Sequence, residues 1–370
     1  MKVNGVAFRS IWYDEHEKNV KIIDQRWLPH EFRIVKLITK NDFANAISDM
    51  WVRGAPLIGA TAAYAIAEIM AVDPSNTSLE TACIELNETR PTAINLYWAL
   101  SRCKSALERV EVNVRAAAAM QLAHAIAEED VVMNQQIGMH TLNIIKKLAA
   151  KKSNNAPVNI LTHCNAGWLA TVDWGTATSG MYQAHDAGIP IHIWVDETRP
   201  RNQGGLTSWE LGSHGIPHTY ITDNAGGHLM QHNKVDMVIV GTDRTTARGD
   251  VCNKIGTYLK ALAAFDNNVP FYVALPSPTI DWSVNDGVAE IPIEERSSLE
   301  VSHVMGIDPN ENLATVQITP QEAETGNPAF DVTPNRLITG LITERGIAEA
   351  SSEGLDGLFP EFKGKNNDRK

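Results

Sequence analysis

Apolar and polar positions divide the chain into two textures. Near the start, "VAFRSIWYD" and "KNVKIIDQ" read as strands joined by the charged turn "EHEK". Apolar residues then recur at helical spacing. In "TKNDFANAISDMWV", Thr39 and Asp42 stand as a capping box. "PLIGATAAYAIAEIM" is apolar on nearly every side, which predicts a buried helix. "PTAINLYWALSRCKSAL" places Pro91 in the first turn of another, and residues 112–150 continue as one or two Ala-rich helices.

The texture changes near "KKSNNAP" (151–157). Short β-branched runs ("VNILTHC", "IHIWVDE", "HTYITDN", "MVIVGTD", "FYVALP") now alternate with helix-like segments, the last of which, "NKIGTYLKALAAFDN", is expected to begin near Lys254. Strands alternating with helices predict an α/β fold with a doubly wound parallel sheet. The expected organisation is a mainly helical N-terminal domain with a small β entry (1–150), a parallel-sheet domain (151–350) and a polar C-terminal tail (351–370) whose last seven residues fray.

Composition narrows the function classes. The 370 residues are 44% hydrophobic and 21% charged, ordinary for a globular protein, with a net charge of −12. No basic run offers a nucleic-acid face, and the longest charge-free stretch near the start, "GAPLIGATAAYAIA", is too short to span a bilayer. Four cysteines without C-x-x-C or a zinc-finger histidine partner suit reduced thiols in a cytoplasm. No nucleic-acid or membrane partner is therefore expected.

Parallel sheets bind ligands beyond the carboxyl ends of their strands. The strand-end residues are His163, Cys164 and Asn165, then Asp196 and Glu197, Asp223, and Asp243 with Arg244. Each has a structural alternative, since Asp and Asn also cap helices there, and for Asp223 and Asn224 the cap is the favoured reading. Cys164 is equally at home in a core, but a strand end followed by glycine and a nearby helix start would lower a thiol's pKa. Neighbouring strand residues point to opposite faces, so His163 is expected to be a hydrogen-bonded wall residue rather than the partner of Cys164.

Asn253 and Lys254 follow a charged loop. With the amides of the helix expected there, they would suit a phosphate; a solvated loop is the alternative. Arg53, beside Gly54 and Ala55, and Arg90 precede apolar helices, where a guanidinium needs an anion, phosphate or a glutamate such as Glu88. Gln203 stands on a loop that could cover a ligand. No P-loop, G-x-G-x-x-G or metal-ligand spacing occurs, so no cofactor and no metal are expected. The residues alone describe a crevice for a small phosphorylated polyol, with one candidate thiol and one candidate carboxyl group.

"RGAPLIG", "TRPTAINL", "LTHCNAG", "DETRPRNQG", "IVGTDRTTARGDVCNKIGT" and "NPAFDVTP" with "LITERG", in this order over residues 53–346, resemble the methylthioribose-1-phosphate isomerase family, related to regulatory subunits of a eukaryotic translation-initiation exchange factor. The resemblance implies a Rossmann-like C-terminal catalytic domain, a homodimer, and conversion of 5-methylthioribose 1-phosphate to 5-methylthioribulose 1-phosphate in methionine salvage. It places the catalytic cysteine on Cys164 and the catalytic aspartate on Asp243. Substrate-binding positions fall on Arg53, Gly54, Ala55, Arg90, Gln203, Asn253 and Lys254. One departure is "QGGLTSWEL", in which Gly205 alone separates Gln-Gly from Leu-Thr, a residue shorter than the family commonly has. Related isomerases of 5-deoxyribose 1-phosphate or ribose 1,5-bisphosphate, and a non-catalytic sugar-phosphate-sensing subunit, are the alternatives.

Overall fold

The structure, a computed structural model, describes residues 1–364. A two-stranded ribbon (β1, Lys2–Val3; β2, Val6–Ala7) leads into an antiparallel meander (β3, Ile11–Asp14; β4, Asn19–Ile23; β5, Ile34–Leu37). Five helices follow: α1 (Lys40–Ser48), α2 (Ala55–Val72), α3 (Asn76–Thr89), α4 (Ile94–Leu107) and α5 (Val112–Ala149). The expected capping box is present, with Thr39 Oγ1 accepting from the Asp42 N–H and the Asp42 carboxylate from the Thr39 N–H. Helix α2 is long and apolar enough to cross a membrane, yet most of it is buried as the centre of the first core. Pro91 is not in a first turn. The Ala93 N–H closes a turn onto the Arg90 carbonyl, and α4 starts after it.

Residues 112–149 form one helix because two cores hold it. Ala119, Ala123, Ile126 and Val131 pack in the helical half, while Ile137, Ile144 and Ile145 pack against the sheet.

The second half runs β6 (Val158–Thr162), α6 (Ser179–Asp186), β7 (Ile191–Asp196), α7 (Gln203–Ser213), β8 (His218–Ile221), α8 (Ala225–Gln231), β9 (Met237–Val240), β10 (Arg244–Thr246), β11 (Val251–Lys254), α9 (Thr257–Asp266) and β12 (Phe271–Ala274). Beyond lie β13 (Ile280–Asp281), α10 (Gly287–Glu290), α11 (Leu299–Ser302), the hairpin β14 (His303–Ile307) and β15 (Leu313–Gln317), β16 (Phe330–Thr333), β17 (Gly340–Thr343), β18 (Gly346–Ala348) and α12 (Ser352–Leu358). Seven strands make the main sheet in the order β18-β17-β12-β9-β6-β7-β8, parallel except for β18. This is the predicted α/β class with its helical N-terminal region. Side chains alternate across the sheet as period two requires: Ile160, Met237 and Ile239 enter one core, Leu161, Val238 and Val240 the other. Leu355 and Phe359 of the C-terminal segment join the second core. The expected frayed end falls almost wholly outside the described residues.

From β6 the chain proceeds outward to β7 and β8, then returns to place β9 on the other side of β6. Connections leaving in opposite directions open a crevice between the carboxyl ends of β6 and β9. Cys164 follows β6 and Asp243 follows β9.

Candidate active site

Past Thr162 the chain turns sharply. His163 is fully buried, with Nδ1 3.0 Å from Asp196 Oδ2 and Nε2 2.8 Å from the Ile255 carbonyl oxygen. It braces three segments and does not line the cavity beside Cys164. Asp196 and Asp223 near it form a cluster that carries its own cation, because Lys260 Nζ stands 3.2 Å from Asp196 Oδ2.

Cys164 adopts φ +69°, a left-handed conformation that costs an ordinary residue about 1–2 kcal/mol. Two threonines hold it there. The Cys164 N–H donates to Thr198 Oγ1 (2.8 Å), and Thr207 Oγ1 donates to the Cys164 carbonyl (2.9 Å). Thr198 is fixed in turn, its hydroxyl donating to the Asp196 carbonyl and its N–H to Asp223 Oδ1. Asn165 Nδ2 donates to Thr207 Oγ1 and to Glu210 Oε1 at 2.9 Å. The thiol is thus aimed by a buried polar frame drawn from β6, the loop after β7, and α7.

On the other side the Asp243 N–H donates to the Cys252 carbonyl, anchoring the turn to β11. Asn253 and Lys254 extend from that strand, Asn253 Nδ2 donating to Thr257 Oγ1 and Lys254 Nζ lying 4.5 Å from the centre of the Phe330 ring. The helical half closes the crevice with the start of α2. Gly54 has φ +95°, and a β-carbon there would lie 2.5 Å from Ala170, so only glycine permits this approach.

All nine sequence-predicted site residues (Arg53, Gly54, Ala55, Arg90, Cys164, Gln203, Asp243, Asn253 and Lys254) line one cavity of about 60 Å³. The buried Arg53 Nε and Nη2, Arg90 Nε and Gln203 Oε1 make no hydrogen bond among the described residues. Buried guanidinium nitrogens without a partner signal an anion that binds between them. Arg90 also reaches Glu294, at 3.5 Å, rather than Glu88.

Burial raises the Cys164 thiol above its ordinary value, against the opposing pull of Arg53, and nearby Asp243 adds to the rise. The expected lowering by a helix start is overturned, because desolvation of the thiolate outweighs the cations. Burial likewise raises Asp243, while Lys254, Arg90 and Arg53 pull it down. Lys254 and Arg53 are both lowered by burial, Arg53 to about 10, which leaves it charged at neutral pH. Glu210, behind the thiol, is pushed up by burial to about 8. The site therefore pairs a neutral thiol and a carboxyl biased toward its acid form with cations suited to a phosphate.

A profile of the Initiation factor 2 subunit family matches residues 51–350. Methylthioribose-1-phosphate isomerases of Sinorhizobium medicae and Brucella anthropi are each 64% identical to this chain, over 98% of it and their full length. The chain belongs to this family. A family member from Escherichia coli with the same name is 60% identical over 99% of the chain and 98% of its own length. Among solved structures, 5-methylthioribose 1-phosphate isomerase from Pyrococcus horikoshii superposes with a TM-score of 0.81 at 38% identity, over 96% of both chains. The translation initiation factor eIF-2B subunit delta from A. fulgidus gives 0.78 at 37%, over 96% of this chain and all of that one.

Three sequence expectations are corrected. Asn253 and Lys254 do not open a helix: they end β11, paired with Asp331 and Phe330 of β16, and α9 starts at Thr257. The Gly256 and Tyr258 amides at that start are taken by the Asp331 carboxylate, so no phosphate sits on them. Gln203 is the buried first residue of α7, not a flexible cover. Asp223 does not cap its own helix but accepts from the Thr198 and Arg199 N–H groups, and Asn224 caps nothing through its side chain. Sequence reasoning gave no role to Met50, Thr198, Thr207, Glu210 or Phe330. Thr198 and Phe330 lay in quoted motifs, and Thr207 and Glu210 in "QGGLTSWEL", but nothing in those stretches marks them as facing the site.

Proposed function

We propose that this protein is an aldose–ketose isomerase converting 5-methylthioribose 1-phosphate to 5-methylthioribulose 1-phosphate in methionine salvage, acting as a cytoplasmic homodimer. The observation that carries the reading is one cavity holding Cys164, Asp243, the buried cations Arg53 and Lys254 and the half-buried Arg90, in a chain 64% identical to isomerases of that name.

A phosphate ester on the anomeric carbon blocks spontaneous ring opening, so opening must be driven by acid. In this reading Asp243, biased toward its protonated form, donates to the ring oxygen as the bond from that oxygen to C1 breaks. Hydrogen then moves from C2 to C1. Along an enolate route Cys164, deprotonated for the step, takes it as a proton, the resulting thiol protonates C1, and the 2-hydroxyl proton returns to Asp243. Along a hydride route it passes with its electron pair, the 2-hydroxyl proton returns to Asp243, and the thiol borders the transfer. Arg53, Arg90 and Lys254 hold the phosphate, with Gln203, Asn253 and the Gly54–Ala55 backbone around the sugar. Solvent hydrogen at C1 of the product marks the enolate route; full retention marks hydride.

Two arginines near the site, Arg26 and Arg201, are already paired, with Asp24 and Glu300. Neither arginine is free to hold a 5-phosphate, which favours an uncharged C5 substituent over ribose 1,5-bisphosphate. The test is turnover of 5-methylthioribose 1-phosphate, 5-deoxyribose 1-phosphate and ribose 1,5-bisphosphate by the wild type, Cys164→Ser and Asp243→Asn. Each variant is expected to lose about a hundredfold or more in kcat with its circular dichroism intact. Near-normal turnover removes that residue from the mechanism, and no turnover of any sugar favours a non-catalytic sensing subunit.

A further inference from the structure

The pocket between Cys164 and Asp243, about 60 Å³, holds roughly four to six waters at about 10–15 Å³ each. The substrate has roughly fifteen non-hydrogen atoms, so on the same scale its phosphate and first carbons fill this space and the C5 end must leave it. Met50, Arg53 and Gln203 form one wall of the pocket, and these three residues also line a neighbouring cavity of about 820 Å³. Met50, at φ +59° an unusual conformation for a long side chain, lines both spaces and so stands at their boundary.

Resting on the isomerase reading, we propose that the larger cavity is the subsite for the C5 substituent and accepts thioethers far bulkier than methylthio, including branched alkyl and aryl groups. Its chemistry fits a neutral apolar group. Leu28, Leu206, Trp209 and Met305 contribute to its walls, and its arginines Arg26 and Arg201 are committed to Asp24 and Glu300. Space on one side comes from Gly205 in the first turn of α7. A β-carbon there would meet only the Pro29 ring carbons, at 3.7 and 3.8 Å, ordinary contact distances. A large side chain at 205 would therefore project into the cavity without straining the helix.

The experiment compares kcat/KM for ribose 1-phosphates carrying 5-deoxy, 5-methylthio, 5-isobutylthio and 5-phenylthio groups, in the wild type and in Gly205→Phe. Wild-type kcat/KM for the phenylthio sugar is expected within about tenfold of that for the methylthio sugar, and Gly205→Phe is expected to lower the phenylthio-to-deoxy ratio by about tenfold or more. A larger wild-type penalty, or a smaller change in that ratio, overturns the subsite. Met305→Trp, from another wall, carries the same test if Gly205→Phe does not fold. Turnover of the deoxy and methylthio sugars with rejection of the phenylthio sugar refutes this subsite alone, as it would if a second copy of the chain covered the cavity. Absence of turnover with every sugar refutes the isomerase reading instead.

Discussion

Thr198→Val tests whether the thiol is aimed by its backbone clamp. Valine matches threonine in shape and branching, so the left-handed φ of +62° at position 198 is strained equally before and after the change. What disappears is the hydroxyl that accepts the buried Cys164 N–H at 2.8 Å. A buried donor left without a partner costs about 1–3 kcal/mol, and Cys164 escapes part of it only by relaxing out of its left-handed conformation, which carries the sulfur away from Asp243. If only the native geometry reacts, kcat falls roughly 5- to 150-fold, at about 1.4 kcal/mol per tenfold. KM changes little, because the phosphate is held by Arg53, Arg90 and Lys254 in the proposed mechanism. Steady-state kinetics on 5-methylthioribose 1-phosphate, with urea unfolding for stability, reads both effects. Thr198→Ser keeps the oxygen and should restore most of kcat. Valine within about twofold of wild type, or serine no better than valine, refutes the clamp.

Gly54→Ala forces a β-carbon against Ala170 at a positive φ, so it should destabilise by about 2–5 kcal/mol from strain plus overpacking and raise KM; a urea midpoint equal to wild type contradicts this. Glu210, near 8 when folded against 4.5 ordinarily, keeps a proton that the unfolded chain releases, so its contribution to stability is present below pH 4.5 and is lost as pH rises toward 8. The slope is at most about 1.4 kcal/mol per pH unit, and Glu210→Gln removes it; the stability of the variant relative to wild type should climb across that window and level off above it, whereas parallel urea curves refute the assignment. With Asp243 as the acid, kcat/KM falls as pH rises through its raised pKa. Lys254→Met removes the strongest cationic pull on that carboxyl and should move the fall to higher pH, and a fall at unchanged pH counts against Asp243.

Much of the architecture was legible locally, because strand and helix are written in short-range periodicity. The runs containing β6, β7, β9 and β12 alternate between two cores as apolar strands in a parallel sheet must, and the all-round apolar α2 is the buried helix its composition predicts. Strand ends were legible too, so Cys164 and Asp243 could be paired before any contact was known. Their meeting across the crevice follows from strand order, since 74 residues (163–236) lie between β6 and β9 along the chain.

Long-range partners decided the rest. Residues 253–254 belong to a strand because β16, nearly eighty positions later, pairs with them, and that partner outweighs the local helix signal. Glu210 and Thr207 lie on one amphipathic helix whose sequence does not say that its inner face frames a thiol. The left-handed turn at Cys164 has no glycine or asparagine to announce it, because hydroxyl groups from distant segments supply the hydrogen bonds that make it tolerable. Periodicity is a property of neighbours along the chain, and so it determined the elements. The frame around the reactive groups is built from hydrogen bonds between segments 34 to 45 positions apart, and only the folded chain brings them together.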